Sequence, residues 1–167
     1  MPRRLVLVLV VVLVVAVAWL GFRAVQAFDQ DRHAAAAAAV LAAPDRVTYQ
    51  LPPVTNQASG QLTYRPSTWL SVVDLRGLEP VAGHERYLVF LRNWAGWTLA
   101  GAVRPGADGT AQVRSGAEPK PATIYEVVVT RAVDDATSVP HGQPVLHWFD
   151  GSLGPSRAVP FDFARGA

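Results

Sequence analysis

The side chains able to do chemistry are few and scattered along this chain. His84-Glu85 opens like the zinc-protease pattern His-Glu-x-x-His, but Leu88 stands where the second histidine belongs. That pattern needs a helix to set both imidazoles on one face, and the residues after Glu85 read as a strand. His141, His147 and Asp150 have side chains suited to a metal. Two histidines six residues apart share a side only on an unbroken strand, and Pro144 lies between them. One loop histidine and one strand histidine is the simpler expectation. Asp134 and Asp135 are adjacent, so in an extended segment their carboxylates point to opposite faces, and a polar loop accounts for them. Gly151-Ser152-Leu153-Gly154 grazes the nucleophile-elbow pattern with no helix to follow it. The chain has no cysteine, which excludes thiolate nucleophiles, thiolate metal sites, disulfides and a lipidated N-terminal cysteine. The expectation is a non-enzymatic chain with no catalytic, cofactor-binding or metal-binding residue.

Asn93-Trp94-Ala95-Gly96-Trp97 carries more promise as a contact surface. Two tryptophans flank a glycine turn, and an exposed pair can stack on a sugar ring or anchor a protein partner. The ordinary alternative places Trp97 in the core as its strand begins, with Trp94 covering the end of the sheet. Trp94 and Trp97 are the candidate partner or ligand contacts. Trp148-Phe149 reads first as the core plug of the last strand.

The elements that must hold these residues are short. From Val47 onward, apolar runs alternate with Gly, Pro, Asp and Asn. Strands are expected near Val47–Leu51, Gln61–Tyr64, Trp69–Leu75, Arg86–Leu91, Trp97–Val103, Thr110–Arg114, Ile124–Arg131 and Pro144–Phe149. Such spacing, without helical periods between the runs, predicts an all-β antiparallel sandwich of about seven or eight strands over residues 47–150. Tyr87 to Leu91 is apolar throughout, as in a central strand buried on both faces. Asp108-Gly109 reads as a hairpin turn, and Gly101 inside a strand predicts a bulge or a close backbone approach. The tail, residues 151–167, has little regular pattern. Its Val159-Pro160-Phe161-Asp162-Phe163 stretch either packs on the sheet as an edge segment or stays mobile.

The N-terminus has a different character. Residues 1–4 are a positive cap with Arg3 and Arg4, and Leu5 to Phe22 follows without a charge. At 1.5 Å per residue this stretch spans about 27 Å, close to the bilayer core, with Trp19 near its outer end. A transmembrane signal-anchor over 5–22 is the preferred reading, contacting the lipid bilayer, with the N-terminus cytoplasmic and the rest extracytoplasmic. A signal peptide cleaved after Ala27 competes, since Val25-Gln26-Ala27 has small residues before the cut. The apolar stretch is longer than usual for that reading, and Arg23 intervenes. Residues 23–46 are expected to form a helical juxtamembrane stalk, through the alanine run Ala34–Ala39 to its stop at Pro44. Fifteen basic and thirteen acidic residues leave a charge of +2, spread without the basic stripe that nucleic acid requires.

A family resemblance runs along the β region. Leu75-Arg76-Gly77-Leu78-Glu79-Pro80, then Gly83 and Tyr87–Leu91, resembles a stretch of the C-terminal domain of anti-sigma-K factors. Ala100-Gly101-Ala102-Val103 with Pro105–Gly109 is similar to a second piece. Val127–Thr130, followed by Pro140 and Pro144-Val145-Leu146, is similar to its ending. The chain departs from the family at Arg131, where glutamate is usual, and at Asp134-Asp135-Ala136, which replaces a glycine-rich turn. The resemblance implies an outer domain concerned with sensing and partner contact, without catalysis. Because only four residues precede the membrane segment, the expectation is that domain standing alone on its anchor, with no direct sigma-factor binding. The expected partner is an unidentified envelope protein. A carbohydrate- or envelope-polymer-binding domain using Trp94 and Trp97 is the alternative.

Overall fold

The computed structural model describes Trp19 and residues 34–55, 57–68, 70–116, 124–133, 137–152 and 160–162. The chain divides into two compact units, Met1–Ala36 and Ala37–Ala167. In the first, the described residues are helical and exposed. Among the described residues no helix is long and apolar enough to cross a membrane. The expected membrane segment Leu5–Phe22, apart from Trp19, and the cleavage site before Phe28 lie outside them, as does Trp69.

The described residues of the second unit form eight strands: β1 (Val47–Leu51), β2 (Ser59–Arg65), β3 (Leu70–Arg76), β4 (Arg86–Asn93), β5 (Gly96–Val103), β6 (Ala111–Gly116), β7 (Glu126–Ala132) and β8 (Gln143–Phe149). They form two antiparallel sheets of four, in the orders β1-β2-β3-β6 and β5-β4-β7-β8. Side chains from both meet in one core, including Leu62, Val73 and Leu75 from the first sheet and Tyr87, Val89, Val127, Val129 and Leu146 from the second. The period-two alternation of each strand supplies these inward residues.

Every expected strand is present, but one connection differs from expectation. Asp108-Gly109 does not join a hairpin, because β5 pairs with β4 and β6 pairs with β3, in different sheets. The turn carries the chain from one sheet to the other. It is closed by Gly106 N–H donating to the Thr110 carbonyl at 2.8 Å and by Thr110 N–H donating to Asp108 Oδ1 at 3.1 Å. Gly109 has φ +72, and a Cβ there would lie 3.0 Å from the Leu78 carbonyl oxygen, so a side chain is disfavoured twice over. A hairpin signal of Asp-Gly specifies a local turn, while strand pairing depends on which faces are apolar.

Gly101 shows both features its position predicts. The β4–β5 register slips between Val89 and Phe90, opposite Gly101 and Leu99. A Cβ on Gly101 would meet Val113 Cγ1 of β6 at 2.8 Å. At the opposite edge, Tyr49 of β1 stacks on Trp148 of β8 with ring centroids 4.1 Å apart. The chain leaving β1 also bonds to β8, with Val54 N–H donating to the Val145 carbonyl at 2.9 Å and His147 N–H to the Pro52 carbonyl at 3.2 Å. These bonds occupy backbone groups that an open sheet edge would leave free.

Residues 34–41 are helical. Within the second unit, Ala37 and Val40 bury against Val72 and Leu70 of β3, on the face of that sheet turned away from the core. Beyond the helix, Asp45 receives hydrogen bonds from Arg65 Nε at 2.8 Å and from the Ser67 hydroxyl.

Candidate functional site

β4 and β7 lie side by side in the middle of the second sheet, and both are buried on two faces. Their outward residues need an apolar cover, and in one place they carry charge instead. Glu126, the first residue of β7, has an exposure of 0%. In register it stands between Arg92 of β4 and Phe149 of β8. Arg92 Nη1 lies 2.8 Å from Glu126 Oε2, and His147 Nε2 lies 2.8 Å from Oε1. The Phe161 amide donates to Oε1 at 2.6 Å. A buried carboxylate is costly unless its lone pairs are filled, and here three donors fill them.

The balance sets its protonation. Burial pushes the Glu126 carboxyl up, but hydrogen bonds from His147, Arg92 and the Phe161 amide together outweigh it and hold the group below the ordinary glutamate range. The guanidinium is held in turn by rings, with Arg92 Cζ 5.3 Å from the Trp97 centroid and 5.6 Å from that of Tyr125. Cation–π contacts of this kind keep an arginine oriented.

The aromatic residues extend outward from this cluster. Trp97 meets Phe161 edge to face at 5.6 Å, and Trp94 meets Tyr125 in the same manner at 6.3 Å. Trp94 is 55% exposed. It sits in the tight β4–β5 turn, which is fixed by Ala95 N–H donating to the side-chain oxygen of the buried Asn93 at 2.7 Å. The two tryptophans therefore face different neighbours: Trp97 is half-buried under Phe161, and Trp94 projects.

The other candidate residues do not converge. His84 is exposed in the turn before β4, while Glu85 accepts two hydrogen bonds from Arg131, at 2.6 and 3.1 Å. His141 Nδ1 lies 2.9 Å from the Thr137 hydroxyl, with its ring edge-on to Phe90. His147 instead faces Glu126, so the two histidines serve different contacts. Asp150 accepts from the amide and hydroxyl of Ser152. Asp134, Asp135, Leu153 and Gly154 lie outside the described residues. Glu126 and Arg92 were missed as a pair. The available signals were an acid within an apolar run and an arginine ending another, but their alignment depends on the β4–β7 register.

No family model, curated protein or solved structure matches this chain.

Proposed function

We propose that this chain is a membrane-anchored, extracytoplasmic sensory or protein-interaction module, a β-sandwich without catalytic function related to the outer domain of anti-sigma factors. The observation that carries the reading is Trp94: a large indole held out of the fold on a short, hydrogen-bonded turn. Tryptophan is enriched among residues that dominate binding energy, and a fixed turn reduces the ordering cost of contact. The ionisable groups around it support the same reading, since Arg92, Glu126 and His147 are engaged with one another.

The spacing behind the resemblance also has a geometric counterpart. Its first piece contains Gly77-Leu78 and its second contains Gly109, and Leu78 N–H donates to the Gly109 carbonyl at 3.0 Å. Tyr87 reaches back to the Glu79 carbonyl with its hydroxyl at 3.0 Å. Arg131, which departs from the family pattern, bonds Glu85 and lies 3.6 Å from Glu79. The glycan-binding alternative loses support because Trp97 packs against Phe161, leaving one projecting ring in place of a two-ring platform.

The test is site-specific photocrosslinking in intact cells, with a photoreactive residue replacing Trp94 and, as a control, the exposed Thr48 of β1. A discrete protein adduct from position 94, absent from position 48, is expected. Adducts to envelope polymer alone would contradict the protein-interaction reading and favour the alternative.

A further inference from the structure

The face of the β5-β4-β7-β8 sheet turned away from the shared core is itself apolar. Leu88, Phe90 and Val128 are completely buried there, with Trp97, Leu99, Ala102, Ala132 and Phe161 packed around them. Phe161 does not belong to any strand. It is held by two independent contacts: its ring against Trp97, and its backbone amide on Glu126 Oε1. Arg92 and His147 grip the same carboxylate from the sheet, so the acceptor is aimed by groups outside the segment it receives.

Such a site reads little of its ligand's sequence. A main-chain N–H is offered by every residue except proline, and the apolar surface beside it selects one aromatic ring. Neither contact uses the covalent link between Phe161 and β8. We propose that this face is a recognition socket for an extended segment bearing an aromatic residue. The chain's own residues 160–162 fill it in cis, withholding it from a partner segment of the same chemistry. This surface adjoins the Trp94 turn through Arg92 and Tyr125, but it takes a different occupant from the partner proposed for Trp94.

The test uses the full-length chain in detergent and a fluorescent peptide of residues 156–165, with binding followed by anisotropy. Phe161→Ala empties the ring's place, so that variant binds the peptide at least tenfold more tightly than the wild-type chain. A peptide carrying the same substitution binds the variant at least tenfold more weakly than the native peptide. Phe161→Leu keeps an apolar plug and excludes the peptide as the wild type does. If Phe161→Ala fails to fold, Phe161→Val serves, with a gain of about threefold expected from its smaller plug. Equal binding by wild type and a folded variant, or no binding by either, overturns the proposal. A wild-type dimer that dissociates on Phe161 substitution would place the segment in trans and overturn the cis arrangement.

Discussion

Glu126 is a fully buried carboxylate held by Arg92, His147 and the Phe161 amide. A carboxylate whose folded pKa lies below its unfolded value stabilises the fold fully above the unfolded value, about 4.3, and loses that contribution as pH falls through the folded value. Glu126→Gln removes the charge while keeping the shape, and it puts an NH2 donor where Arg92 or His147 now meets a carboxylate oxygen. At neutral pH it should cost about 3 kcal/mol, in the range for breaking a buried ion pair. Urea unfolding from pH 7 down to pH 3 checks both points: wild type and variant differ most above pH 5 and converge as Glu126 takes up its proton. A constant difference across that range would mean that the carboxylate's charge is irrelevant. The sequence made Trp94 and Trp97 visible, because turn glycine and tryptophan are local signals. It left Glu126 hidden, because a buried acid is recognised through partners 34 residues before and 21 residues after it.

At the scale of elements, strand positions were legible and strand partners were not. Alternation and turn residues located all eight strands, and the unbroken apolar run Tyr87–Leu91 marked β4 as doubly buried. The Asp108-Gly109 turn misled on pairing, since a crossing between sheets and a hairpin use the same tight-turn chemistry. The missing side chain at Gly101 leaves the room that Val113 of β6 takes against β5. Gly101→Ala should therefore destabilise by about 1–3 kcal/mol through overpacking against a buried, stiff valine. Val113→Ala in the same chain should recover much of that loss, and a double-mutant cycle on urea midpoints measures the coupling. Additive effects would show that β5 and β6 do not constrain each other at this point. The tail is a second case in which pairing was hidden: either edge packing or mobility was expected, whereas Phe161 lies on the sheet's face with its amide on Glu126.

For the whole molecule, the proposed role joins two parts with different physical demands. The sheets hold a projecting tryptophan and a filled apolar socket in fixed positions, and the charge-free stretch from Leu5 to Phe22 would set them at a membrane surface. A membrane tether would raise the effective concentration of the domain near envelope partners, so that modest contacts at Trp94 would suffice for the proposed role. A free domain would need tighter ones. The intact mass of the mature protein, measured separately in the membrane fraction and the medium, decides between them. The uncleaved 17.9 kDa chain, confined to membranes and resistant to alkaline extraction, is the expected species. A soluble species beginning at Phe28 would contradict it and make this a secreted binding domain.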